Sequence, residues 1–464
     1  MPHLFILMYV IHTAINPLEF KNMKIKNIKW TLMVVLAIAS IGFTSCEDEP
    51  DKYETTTATP SINYIRPVDV ASKDSLLTSA SMSSAICLVG NNLRSVKELV
   101  FNDQKAVLNT SYITDNTLIV TVPKTIPSTV SDKLYVITTK NDTIPYDFKV
   151  IVPAPTISSM SNEWAAANET VTITGDYFLD YSNYPLSIKV GDDYTLPKTA
   201  IQSITKTGIT FTMPSDVPTG KNFYITTKYG ATKAAFQYKD KRGMLFDFDT
   251  PWDEVNVLGN HGWHNQKIQK DASSLSGNYL MLGDADMTKD GAWNDGNFSF
   301  EYWAGTWNNT FDADGPKLND VADFADWQNK SIKFEMYVPS SNPWCAAPMQ
   351  VIFAGTDKVT LPTANNNFFQ NGDGWGRALY LPWNNDDLSY NTGDKWVTVT
   401  IPLADFNKDW DGNAAKKSFT SVEDFASLTI FVTTGSYDSK TVIPTGKDCH
   451  PIIKIDNIRV VPNK

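Results

Sequence analysis

The 464-residue sequence predicts an all-β protein: two immunoglobulin-like sandwiches followed by a larger β-sandwich of jelly-roll type. Three observations carry that prediction. Short β-branched runs with apolar residues at alternate positions, bounded by Gly, Pro or Asn, fill the chain from residue 61 onward. A set of these runs occurs twice at the size of an immunoglobulin domain. Residues 241–464 then hold further strand-like runs joined by loops rich in Asn, Asp, Gly and Trp.

The repeat spans residues 61–152 and 153–240. The first copy reads TPSINYIRP, AICLVGNNL, KELVFND, TLIVTVP, KLYVITT and YDFKV; the second reads APTISSMS, TVTITGDYF, LSIKVGD, GITFTMP, NFYITTK and AAFQYKD. Gly90 matches Gly175, Pro123 matches Pro214 and Phe148 matches Phe236, at offsets of 85, 91 and 88 residues. No segment between 60 and 240 shows a helical apolar period. Through the opening Pro, the ITGDYF turn at Ile173–Phe178 and the VP or MP strand ending, both copies resemble the IPT/TIG immunoglobulin-like family. That resemblance implies spacers. Neither copy carries paired carboxylates, a His cluster or a Gly-rich phosphate loop.

In the third region GMLFDFDT opens and IIKIDNIRVV closes a set of strands that includes KSIKFEMYVP, MQVIFAG, KWVTVTIPL and SLTIFVTT. Ser421–Leu428 is the one short helical turn expected. Cys87, in AICLVG, reads as a buried strand residue.

Residues 1–45 read as a signal segment. Lys24, Lys26 and Lys29 precede the apolar run Trp30 to Phe43, which falls short of the ~18–20 residues of a spanning helix. Residues 1–22 lack a positive region of their own, so Met23 is an alternative start. Thr44, Ser45 and Cys46 resemble a lipobox, in which the cysteine becomes an acylated N-terminus. Glu47 to Asp51 looks like the acidic signal that sends some bacterial lipoproteins to the outer face of the outer membrane. An ordinary secretory signal with a chance cysteine is the competing reading. Residues 46–60 form a Thr-rich lipidated tether.

A net charge of −11 argues against nucleic acid, whose phosphates demand a basic face. Beyond Cys46 only Cys87, Cys345 and Cys449 remain, which is neither a disulfide framework nor a metal-finger spacing. Cys345 and Cys449 are the pair available for a disulfide.

Of 13 tryptophans, 11 lie between Trp252 and Trp410. Several sit in loops beside Gly, Asn and Asp, where a ring can stack on the C–H face of a sugar and amides can meet its hydroxyls. Trp303, Trp307, Trp344 and Trp383, with Tyr302 and Tyr380, are the candidate platform; Asn308, Gln350 and Asn384 are the candidate hydroxyl partners. Trp396 opens an alternating strand and reads as core. Trp263, Trp293 and Trp375 are the next candidates.

WAGTW, VPxxxxPW, YLPW and WVTVTIPL, in that order after a lipobox and two immunoglobulin-like modules, resemble the cell-surface glycan-binding proteins B of polysaccharide-utilisation systems. The C-terminal region looks like their xyloglucan-binding domain. The resemblance implies a noncatalytic outer-membrane lipoprotein that captures a plant or fungal polysaccharide, of the β-glucan, xyloglucan or mannan kind, and works with a glycan transporter complex. Two other classes stay open. A glycoside hydrolase or esterase needs catalytic groups that no motif announces, and a protein-binding adhesin has no use for so many loop tryptophans. His261 and His264 read as a solvated loop pair, so no catalytic or metal site is assigned. Asp312–Gly315 and Asp409–Asn413 supply turn oxygens without EF-hand spacing, so a structural calcium competes with ordinary Asx turns.

Overall fold

The computed structural model describes residues 53–249, 267–291, 295–302, 316–356, 374–434 and 442–463. They form two compact units. One takes in the described chain up to Pro123 together with Lys133–Phe148; the other takes in Lys124–Asp132 and everything from Lys149 onward. Regular structure is almost all strand, and the described helices are at most four residues long.

In the first unit, Ser61–Pro67, Ala85–Asn91 and Thr117–Thr121 form one antiparallel sheet. Gln104–Lys105, Val96–Phe101, Lys133–Thr138 and Thr143–Asp147 form the other. Strand Lys133–Thr138 buries every second residue, so Leu134 and Val136 enter the core while their neighbours face outward. Phe101 meets Phe148 edge-on at 5.9 Å between ring centroids.

The second unit begins with the same plan. Thr156–Met160, Thr170–Asp176, Gly208–Thr212 and Ile201–Ile204 face Tyr194–Thr195, Ser187–Val190, Lys221–Thr227 and Gly230–Tyr238. The repeat extends to irregularities. Each opening strand carries a register shift at the same place, between Ile62 and Tyr64 and between Ile157 and Ser159. Gly90 and Gly175 sit opposite Ile62 and Ile157. A Cβ at either glycine would overlap a backbone carbonyl, that of Ser61 or of Thr156. The bulged opening strand therefore demands glycine at this one point in both copies.

The larger sandwich sets a six-stranded sheet against a four-stranded one. The first runs Lys267–Gln269, Tyr279–Gly283, Ile452–Pro462, Lys330–Tyr337 and Val397–Pro402, with Met244–Phe246 also paired to Ile452–Pro462. The second runs Ser299–Tyr302, Ser427–Val432, Met349–Ala354 and Ala378–Tyr380. The opening and closing strands expected from the sequence are therefore partners. The 3-10 turn Val422–Phe425 falls in the expected segment; Ser421 Oγ accepts from the Glu423 amide and Asp424 accepts from the Ser421 amide. Strands Met349–Ala354 and Ser427–Val432 are buried at every position, hence on both faces. Seven rings, Phe324, Trp327, Phe353, Trp375, Phe406, Phe419 and Phe425, make one contiguous aromatic cluster.

A buried ion network joins the immunoglobulin-like module of this unit to the larger sandwich. Arg459, fully buried, donates from Nη2 to Glu163 Oε2 at 2.9 Å and from Nη1 to Glu335 Oε2 at 2.8 Å. Lys333 Nζ donates to the other Glu163 oxygen. The Glu163 amide donates to Thr398 Oγ1 at 2.7 Å, and the Thr398 amide to the Ser161 carbonyl at 2.9 Å. Burial opposes the charge on Arg459, and the two carboxylates override it, holding the guanidinium protonated. Two cations and two carboxylates balance, which is how buried charge is tolerated.

Cys87 and Cys345 are buried free thiols and Cys449 is a half-buried one. Cys345 and Cys449, the pair available for a disulfide, are both free. Cys345 Sγ donates to the Pro343 carbonyl and Ser389 Oγ, and burial, with the Cys345 thiol alongside, pushes the Cys449 thiol up to about 11.

Candidate functional site

The structure redistributes the predicted platform. Trp344 and Trp383 are fully buried. Their indole N–H groups converge on one atom, the Ala347 carbonyl oxygen, at 3.0 and 2.7 Å; Trp344 also donates to the Ala346 carbonyl at 2.7 Å. A buried indole needs an acceptor for its N–H. Here the acceptors belong to a turn held by Ala347 at φ +58°. These two rings pin a turn and present no face to a polysaccharide. Tyr302 is likewise core, with its hydroxyl donating to the Pro316 carbonyl at 2.6 Å. Gln350 is consumed inside: its amide donates to the Thr433 carbonyl at 3.2 Å, and its oxygen accepts from Arg377 at 3.2 Å. Burial pulls the Arg377 guanidinium down to about 9, against the pull of Asp409 and Asp411.

Trp375 donates to the Phe353 carbonyl at 2.8 Å and Trp396 to the Ser273 carbonyl at 2.7 Å. Trp396 is buried, as its strand position implied; Trp375 is buried too and leaves the reserve set. Of six described tryptophans in this domain only Trp327 is half-buried, and it packs on Phe419. Trp263, Trp293, Trp303, Trp307, Asn308, His261, His264, Asp312–Gly315 and Cys46 lie outside the described residues. Asp409 Oδ1 accepts from the amides of Asp411 and Asn413 at 3.1 and 2.9 Å, an ordinary Asx turn.

Two predicted residues do meet. Tyr380 and Asn384 line a cleft of about 490 Å³ where the edge strands of the two sheets, Ala378–Tyr380 and Val397–Pro402, come side by side. Leu379, Leu381, Pro402 and Ile443 supply half-buried apolar surface. Asn384, Thr400, Asp405, Asn407 and Lys408 are exposed around it and offer donors and acceptors suited to hydroxyl groups. Tyr380 is half-buried, its ring tilted 6.2 Å from that of Trp344; burial, with Tyr390 alongside, pushes its phenol above the ordinary value. Thr400, Asp405, Asn407 and Lys408 were missed from sequence. Their segment pairs with a distant strand, and its one sequence signal was the Asn- and Asp-rich stretch after KWVTVTIPL.

Comparison with known proteins bears on this architecture. The sequence model described as surface glycan-binding protein B xyloglucan binding domain matches residues 238–462, and that for the IPT/TIG domain matches residues 155–239. The crystal structure of the surface glycan-binding protein PbSGBP-B from Prevotella bryantii is 60% identical, with a TM-score of 0.82, over 88% of this chain and 99% of that one. The chain belongs to the surface glycan-binding protein B family. An IPT/TIG domain-containing protein from Bacteroides ovatus is 27% identical over 199 residues, 40% of each chain, so this chain spans under half the length of that relative. The family match covers both the larger sandwich and the module bound to it through Glu163.

Proposed function

We propose that this member of the family is a noncatalytic surface lipoprotein that captures a plant or fungal polysaccharide for uptake. The observation that carries the reading is the 60% identity to PbSGBP-B over nearly the whole of that protein. The matched domain description names xyloglucan, which puts a β-glucan of that kind ahead of a mannan as first ligand. An exposed cleft along two strand edges suits a long neutral chain, since it need not thread an end. Tyr380 and Asn384, with Thr400, Asp405, Asn407 and Lys408, are the contacts assigned to it. Trp303 and Trp307 remain the stacking candidates, with Asn308 beside them. Glycoside hydrolysis uses two carboxylates flanking the bond; among the described residues lining the cleft Asp405 is the sole carboxylate. Cys46 is the proposed anchor to the outer membrane, facing outward, beside a glycan transporter complex.

Native gels containing xyloglucan, mixed-linkage glucan or mannan test the reading. Retardation in at least one, with no reducing sugar released in the same mixture, is expected. Sugar release, or free migration in all three, overturns it. The Trp303→Ala and Trp307→Ala variants each lower affinity by about one to two decades if the rings stack on sugar. Cys46→Ala releases the protein from the membrane fraction if the anchor is assigned correctly.

A further inference from the structure

A second cleft, of about 560 Å³, opens beside the junction of the immunoglobulin-like module and the larger sandwich in the second unit. It is lined by Trp164, Thr219, Gly220, Gln237, Lys239, Lys241 and Arg242. Every charged group in that lining is a cation, in a chain whose net charge is −11. Arg242 is neutralised by the buried carboxylate of Asp240, to which it donates from Nε at 3.0 Å and from Nη2 at 2.7 Å. Lys239 and Lys241 have no ion-pair partner among the described residues; Lys239 only overhangs the Tyr238 ring at 5.5 Å. Trp164 is nine-tenths buried, and its indole N–H has no hydrogen-bond partner. Its backbone is fixed by the Asn162 side chain, which accepts from the Trp164 amide at 2.9 Å.

Ammonium and guanidinium nitrogens donate and cannot accept. A concave lining whose charged groups are all cations, two of them uncompensated, calls for an anionic ligand. The volume lies in the range of small-ligand sites and exceeds what a bare oxyanion needs. We propose that this cleft is a second glycan subsite that takes a sugar ring bearing an anionic oxygen group, a uronic acid carboxylate or a sulfate ester. Lys239 and Lys241 provide the charge and the Trp164 ring the wall. The site is separate from the neutral-chain cleft, and its occupancy lets one protein hold an acidic side-branched polysaccharide at two points.

The test uses the full chain and its Lys239→Ala/Lys241→Ala double variant. Both are run in native gels containing a glucuronate-bearing xylan, a sulfated galactan or neutral xyloglucan, with glucuronate, glucose and inorganic sulfate as competitors. The parent is expected to be retarded by one of the acidic polymers, less so as salt is raised. The double variant should lose about tenfold in that apparent affinity while its xyloglucan retardation is unchanged. The acidic polymer that retards tells carboxylate from sulfate. Equal retardation of parent and variant in both acidic gels overturns the subsite. So does competition by inorganic sulfate as effective as that of glucuronate against the glucuronate-bearing xylan, which reduces the cleft to a general anion site. Failure to bind xyloglucan with acidic retardation intact counts against the neutral-glycan reading alone.

Discussion

The immunoglobulin-like modules and the larger sandwich use strands in opposite ways. In the modules Lys133–Thr138 and Gly208–Thr212 bury alternate residues and leave the others at the surface. In the larger sandwich Met349–Ala354 and Ser427–Val432 are buried throughout; from loops and single turns, Phe406 and Phe425 pack on Phe353 and Trp410 packs on Phe431. The difference explains the tryptophans. A sheet wrapped on both faces needs large rings and an acceptor for each indole N–H. Backbone carbonyls at Ala347 and Phe353 accept from Trp344, Trp383 and Trp375. A concentration of tryptophan thus marked a thick core as much as a binding surface.

The comparison breaks most readily at the joint. Arg459→Leu leaves Glu335 buried without a cation and Glu163 with Lys333 alone, and is expected to cost about 3–5 kcal/mol in denaturant unfolding. If the larger sandwich were independent of its neighbouring module, Glu163→Gln would leave its stability unchanged; a loss of similar sign, smaller in size, is expected instead. The second module is held to the larger sandwich by a charge that it contributes to their buried joint, on the sheet face opposite the core. Trp383→Ala removes a core ring and is expected to cost about 3–5 kcal/mol. Its glycan affinity, measured by calorimetry on the fraction that circular dichroism shows folded, should stay near that of the parent. A folded variant with parental stability and lost affinity would return Trp383 to the binding surface.

Gly90→Ala and Gly175→Ala sharpen the repeat. Each puts a methyl group against a strand carbonyl and should cost about 1–3 kcal/mol, with similar losses in the two modules read by separate thermal transitions. Asp456 sharpens the account of buried charge. Burial pushes its carboxyl up to about 9, with Glu335 adding to the shift. Between its ordinary value near 4 and that figure, the folded chain holds a proton that the unfolded chain has released, so stability falls as pH rises through this window. Asp456→Asn should raise the melting temperature by a few degrees at pH 8 and by less at pH 5. Equal shifts at both pH values would mean that Asp456 is ionised in the fold. The smallest expected effect is Asn384→Ala, within about 0.5 kcal/mol in stability because the side chain is exposed, with a measurable loss of glycan affinity in calorimetry.

Alternation, turn residues and an internal repeat were enough to read the three sandwiches, their strand segments and even the matched glycines, since each depends on local backbone geometry and one-sided burial. Tyr380 and Asn384 could be named as candidates together because they lie within a few residues of one another at the end of one strand. Asp405, Asn407 and Lys408 could not, because only the meeting of two edge strands from different sheets brings their segment alongside. Nor does local sequence reveal that Trp344 and Trp383 share a carbonyl, or that Glu163 completes a charge pair with Arg459 nearly three hundred residues away. Local pattern determines which face of a strand is apolar. Whether a loop ring turns to solvent or caps a sheet, and which buried charge finds its opposite, is decided by long-range packing, where the cost of an unpaired N–H or ion weighs against arrangements that leave it unmet.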